Sequence, residues 1–173
     1  MSGLFLLLVL GLWLALVVGI ARALTKSIKH DVLRWGALMA AIACLFPLIV
    51  IDEIITAPQF AKLCEEGTKL KFDPEKIRGR MIFLDENPQP EISVGMLKGY
   101  YIPWRYLDAT TKETLISYNS YHIKGGFLIR MLGISETTAP LTMESYCSVN
   151  EKPTQKSFLD RYKLKRIDQK DIK

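Results

Sequence analysis

Two uncharged apolar stretches separated by a basic link constrain this chain more than any other feature. From Met1 to Ala21 no side chain is charged, and Leu4 to Ile20 is almost wholly Leu, Val, Phe, Trp, Gly and Ala. A second uncharged stretch runs from Trp35 to Ile51. A helix crosses a bilayer core with roughly 17–25 apolar residues. Both stretches therefore read as transmembrane helices, with spans at about residues 4–21 and 35–55 and a link at 22–34. Whole-chain composition, 49% hydrophobic with a net charge of +5, would suit an ordinary soluble domain; only the distribution of residues reveals the spans.

A cleaved signal peptide is the rival for the first stretch. Such a peptide has a basic start, an apolar core of about 7–15 residues and a small-residue cleavage site. Met1-Ser2-Gly3 has no side-chain charge and the apolar core is longer, although Ala21-Arg22-Ala23 loosely imitates a cleavage triplet. A retained helix is the better reading. Ile42-Ala43-Cys44 also resembles a lipoprotein cleavage box, but the chain stays apolar through Ile51. Cys44 therefore reads as a small packing residue within the span.

The link holds Arg22, Lys26, Lys29 and Arg34 against the single acid Asp31, while Asp52 and Glu53 follow the second span. Short Lys- and Arg-rich loops stay in the cytoplasm, and long domains translocate largely regardless of charge. The expected topology is two-pass in a bacterial inner membrane, with the N-terminus and the C-terminal domain periplasmic. Cysteine usage agrees, since Cys64 and Cys147 fall in the same outer domain and disulfides persist in oxidising compartments. A Cys64–Cys147 bridge is preferred over two separate buried thiols, which would pack as small hydrophobes.

Small residues recur four apart at Gly11, Ala15, Gly19 and Ala23, and again at Gly36, Ala40 and Cys44. That spacing lets helix backbones approach closely in lipid. The plainer account packs these faces on each other within the hairpin, and the sharper one offers a face to a partner's helix. Asp52 and Glu53 read as solvated boundary charges and not as intramembrane acids of the ion-handling kind. Pro47 is expected to kink the second helix.

The fold class expected is α+β: a two-helix transmembrane hairpin (1–55), then a small, mainly antiparallel β domain with a short juxtamembrane helix (56–149), then a basic tail (150–173). Thr56 is the expected N-cap of the short helix and Gly67 its stop, with Phe60, Leu63 and Cys64 on one face. Leu70 to Phe72 and Arg80 to Leu84 read as short strands. Tyr100, Ile102, Trp104 and Tyr106 line one face of a strand made an edge or bulged one by Pro103. Asp108 to Lys112 is the hairpin loop, and Thr114 to Ile123 the returning strand. Phe127 to Leu132 reads as a helical turn or a loop. Leu141 to Val149 reads as a strand with Met143, Cys147 and Val149 pointing one way. The tail carries eight Lys or Arg against four acids and reads as solvated and partly disordered, with Phe158, Leu159 and Tyr162 on one side of a short helix.

The placement of Asp52-Glu53, Gln59-Phe60, Leu63-Cys64, the Ser117-Tyr118 strand and the late Cys147 resembles small, uncharacterised membrane-anchored bacterial proteins. That resemblance implies a compartment and a fold and carries no activity.

Catalytic signatures are sparse. His30 and His122 lie on opposite sides of the expected membrane, no Cys/His spacing suits a metal, and no glycine-rich phosphate loop or nucleophile elbow occurs. No catalytic residue, metal or cofactor is expected. Ser120 beside His122 reads as a polar strand face before it reads as a hydroxyl with its base. Trp104, Tyr106 and Tyr118 are the candidate contact residues, because Tyr and Trp are enriched at interfaces. The leading reading is a non-enzymatic accessory or interaction protein whose partners are membrane lipid and another membrane or periplasmic protein, with no nucleic acid. An immunity or exclusion factor at the inner membrane is the alternative, and an enzyme using His122 the least favoured. The charge pattern predicts that a reporter active only outside the cytoplasm works when fused after Lys173 and fails near Lys29; the opposite result would overturn the orientation.

Overall fold

The computed structural model describes residues 2–133, 141–168 and 170. It begins with helix α1 (Ser2–Thr25), followed after five residues by α2 (Asp31–Leu45). A short 3-10 segment (Phe46–Val50) then leads directly into α3 (Ile51–Gly67). Asp31 to Gly67 is therefore one helical run of 37 residues, about 55 Å long at 1.5 Å per residue. Pro47 explains the interruption. It has no N–H to return to the carbonyl four residues back, and the helix tightens to 3-10 geometry there. The indole Nε1 of Trp13 donates to the Phe46 carbonyl at 3.1 Å, tying α1 to this break.

Both helices extend into the charged link at 22–34, which leaves residues 26–30 between them. One expectation changes here: no new helix starts at Thr56. The run passes through Thr56 and Pro58, so the juxtamembrane helix and the second apolar helix form one arm. The contact seam of the hairpin uses Val17, Ala21 and Thr25, all buried and four apart. The Thr25 hydroxyl satisfies itself on the Ala21 carbonyl at 2.9 Å.

The remainder builds an α+β domain around a seven-stranded mixed sheet. Its strands are β1 (Lys71–Phe72), β2 (Met81–Leu84), β3 (Glu91–Val94), β4 (Leu97–Asp108), β5 (Thr114–Ile123), β6 (Tyr146–Cys147) and β7 (Lys165–Arg166). Three short helices accompany them: α4 (Pro74–Ile77), α5 (Phe127–Met131) and α6 (Lys156–Tyr162). The order is β1-β5-β4-β2-β7, with β3 also on β4 and β6 also on β5. All pairings are antiparallel except β2 with β7.

The β4–β5 hairpin is the backbone of the domain, running from Gly99↔Ile123 to Leu107↔Thr114 with a bulge after Tyr106. Pro103 does not make β4 an edge strand. The Tyr101 N–H points to the Pro90 carbonyl beyond β4's second edge, and by alternation the nitrogen of residue 103 points the same way. That position falls in the gap between β3 and β2, so the missing donor costs no ladder bond. At the loop, Asp108 accepts from the backbone of Thr110 and Thr111 at 2.7 and 3.1 Å and meets Arg80 at 3.3 Å. Burial alone would raise this carboxyl, but those donors and the guanidinium hold it below the usual range.

Each sheet face has its own core. Against α3 lie Phe60, Val94, Leu97, Tyr121 and Ile123, with Leu63, Met143 and the two cysteines at the margin. The opposite face gathers Ile77, Ile82, Tyr106, Ile116, Tyr118, Phe158 and Leu164. Phe158 makes edge contact with Phe72 at 5.5 Å and is fully buried. The segment from Asn150 through Asp168 is thus part of the domain and not a solvated tail, because α6 seals the second core and β7 extends the sheet; residues 169 and 171–173 of the expected tail lie outside the described residues. The strand expected over Leu141–Val149 shrinks to two residues, and Val149 packs toward the α6 core while Met143 and Cys147 meet the other.

Cys64 on α3 and Cys147 on β6 stand with their sulfurs 2.03 Å apart, at bonding distance, across 83 residues of chain. The pair joins the helical arm to the sheet. Replacing both with Ser should lower stability by about 2–5 kcal/mol, read by denaturant unfolding of the detergent-solubilised chain. Both thiols should resist labelling in the unfolded, unreduced protein, and free labelling there would rule the bridge out.

Candidate functional site

One turn of α3 gathers three distant parts of the chain. Asp52 and Glu53 stand in its first turn, where carboxylates suit the helix dipole, yet both are buried and Glu53 is 0% exposed. Asp52 accepts from its neighbour's N–H at 3.0 Å and from the Phe127 N–H at 2.5 Å. Glu53 Oε2 accepts from the backbone N–H and hydroxyl of Thr142 at 3.0 and 3.1 Å. Its other oxygen, Oε1, is buried with no hydrogen-bond partner among the described residues. The expectation of solvated boundary charges is corrected: the pair is spent on holding loops, because a carboxylate can replace water with backbone donors.

The third segment is the β3–β4 turn. Thr56, fully buried, accepts on its hydroxyl from the Met96 N–H at 3.2 Å. Gly95 takes φ +56°, and a Cβ there would lie 2.7 Å from the Thr56 hydroxyl, so both conformation and space require glycine. Gly126 is similarly confined, since its Cβ would lie 2.6 Å from Glu53 Oε1. Above this junction a groove of about 600 Å³ opens between α3 and the sheet, lined by Gln59, Leu63, Val94, Tyr101, Asn119 and Tyr121.

Trp104, Tyr106 and Tyr118 share the opposite face. Trp104 stacks on Tyr118 at 6.0 Å and Tyr106 on Tyr118 at 6.5 Å. Tyr106 and Tyr118 are core residues with almost no exposed surface, which corrects their reading as contact residues. Burial pushes both phenols up, so they stay protonated. Trp104 remains half-buried and borders a cleft of about 260 Å³ together with Tyr146, Lys152 and Arg166. Burial alone would raise the Tyr146 phenol, but hydrogen bonds to Ser148 and Ser120 and the nearby Lys152 charge bring it below its usual value.

Ser120 and His122 are not arranged as hydroxyl and base. Ser120 Oγ accepts from the Trp104 indole at 2.9 Å and shares a 2.7 Å bond with Ser148. His122 instead stacks flat on Tyr100 at 5.0 Å, and its Nδ1 is buried without a partner among the described residues. No group of three His, Cys, Asp or Glu side chains suited to a metal occurs among the described residues.

The small-residue faces point outward. Gly11, Gly19 and Gly36 would each accept a Cβ with nothing within 4 Å, and Ala15, Ala23, Ala40 and Cys44 are exposed. They do not form the hairpin seam, which belongs to the Val17, Ala21 and Thr25 face.

Comparison with known proteins finds no matching family model, no similar curated protein and no similar solved structure. The junction escaped the sequence reading because its partners lie 75 and 89 residues from the acids; the adjacency of Asp52-Glu53 to an apolar span was its only trace.

Burial lowers the His122 pKa below its ordinary value of 6.5. The folded state thus resists protonation that the unfolded state accepts, so stability should fall as pH drops below about 6.5. NMR titration should place His122 below its ordinary value of 6.5, and His122→Phe should remove that part of the pH dependence. A normal His122 titration would contradict the burial argument.

Proposed function

We propose that this chain is a two-pass anchored interaction protein of a bacterial inner membrane, an accessory or stabilising subunit that presents its sheet domain in the periplasm. Two apolar helices of sufficient length support the anchor, and only 11% of each apolar window is buried. A core helix of a soluble protein would be mostly covered, whereas lipid is a suitable surrounding for exposed Leu, Val and Ile. The basic connection Lys26–His30 with its neighbours Arg22 and Arg34 supports a cytoplasmic turn, and the Cys64–Cys147 pair suits an oxidising compartment on the other side.

The observation that carries the interaction reading is the outward direction of the small-residue faces. Lipid tails gain nothing from a furrow of glycine and alanine, but a second helix does, because close backbone approach yields van der Waals contact. Since the hairpin closes through other residues, the furrow is left for a partner.

Gly19→Leu should therefore leave the hairpin and the disulfide-linked domain intact while reducing recovery of the co-purifying membrane protein at least several-fold. Ile20→Leu, at an exposed position between the furrow and the hairpin seam, should change nothing. Quantitative pull-down in mild detergent from the native host measures both. Equal recovery with Gly19→Leu and with the unaltered chain would remove the furrow from the interface.

A further inference from the structure

The underside of the sheet domain is apolar where it meets the helical arm. Met96, Phe127 and Met131 are 59%, 56% and 58% exposed, although they belong to two separate segments. Their height along the arm is fixed by bonds already described. The Met96 N–H binds Thr56 and the Phe127 N–H binds Asp52, and α5 then packs beside the 3-10 segment Phe46–Val50. At this level the arm itself exposes Ile51, Ile54 and Ile55. Leu141, next to the Thr142 that Glu53 holds, is exposed too.

A span starting at Trp35 reaches a depth of about 30 Å, the thickness of the hydrocarbon core, after about 20 residues. The apolar collar spans the last part of that depth and the exit itself, with α5 beside the 3-10 segment and Met96 at Thr56. Within α5, Leu128 and Ile129 are buried against protein while Phe127 and Met131 face out. The one charge of this helix is Arg130, whose long stem lets its guanidinium reach headgroup phosphates.

We propose that the sheet domain is seated on the bilayer, with the Gly95-Met96 turn at the headgroup layer and α5 entering the outer leaflet beside the emerging arm. This rests on the two-pass reading above and adds to it a second, extended contact with lipid that fixes the domain's orientation. The β4–β5 loop then points away from the membrane, because β4 starts at Leu97 beside the collar and runs outward to Asp108.

Spin labels on the full chain test this. In a Cys44→Ala background, single cysteines at Met96, Met131, Thr111 and Leu12 are labelled and the protein is reconstituted in vesicles of phosphatidylcholine and phosphatidylglycerol. Collision with oxygen is compared with collision with a water-soluble nickel complex. The proposal expects labels at Met96 and Met131 to favour oxygen, like Leu12 but less strongly, and Thr111 to favour nickel. Nickel access at Met96 or Met131 equal to that at Thr111, with Leu12 in lipid, overturns the seating and leaves the span intact. Shielding of either site from both reagents also overturns it, since protein would then be the cover. Nickel access at Leu12 removes the two-pass reading and the seating with it.

Discussion

Two adjacent carboxylates, buried within one turn of α3, are the constraint on which the arrangement of this protein depends. A rigid arm and a sheet domain would otherwise meet through a small apolar core, one cysteine pair and the Thr56 bond to the Met96 turn. Asp52 and Glu53 convert that meeting into a fixed joint by accepting backbone N–H bonds from Phe127 and Thr142. Burying two acidic side chains is costly unless they are bonded. Removal of either acid would leave buried N–H donors unsatisfied, at about 1–3 kcal/mol each. The bonded side chains can hold only one geometry, so the joint is specific as well as tight.

The arm transmits that geometry. With no break at Thr56, the helix carries the same face past Phe60 and Leu63 to Cys64, where the cysteine pair fixes the far end to β6. Joint and pair are separated by about 12 residues of helix, near 18 Å. Two attachments that far apart on one rigid element suppress rocking in a way that one could not. The interruption at Pro47 lies below both, in a 3-10 segment tied to α1 by Trp13.

The local parts of this design were readable from the chain. Alternating aromatics and a loop of Asp, Thr and Lys specify the β4–β5 hairpin, since both strands and their turn are consecutive. Cys64 and Cys147 were legible because so few cysteines leave few pairings. What escaped was set by distance in sequence. Asp52 and Glu53 look like ordinary interfacial acids until residues 127 and 142 return to them. Phe158 looks like one aromatic in a charged tail until it meets Phe72 and the α6 side of the sheet. Tyr106 and Tyr118 have the composition of a contact surface and the burial of a core, a difference that only the covering α6 decides. The small-residue stripes were legible in the sequence, but not their direction, because Val17, Ala21 and Thr25 form an equally regular stripe on the same helix.

The central claim is that the acid pair and Thr56 together unite α5, the Thr142 segment and the Met96 turn with the arm as one structural unit. Hydrogen exchange of the intact chain in bilayers measures this directly, because amides opening together exchange with one free energy. The N–H groups of Met96, Phe127 and Thr142 should exchange slowly and in step with α3. In the Asp52→Ala, Glu53→Ala variant, Phe127 and Thr142 should become fast while the β4–β5 hairpin stays protected. Rapid exchange of Phe127 and Thr142 in the unaltered chain, at the rate of exposed loops, would contradict the account.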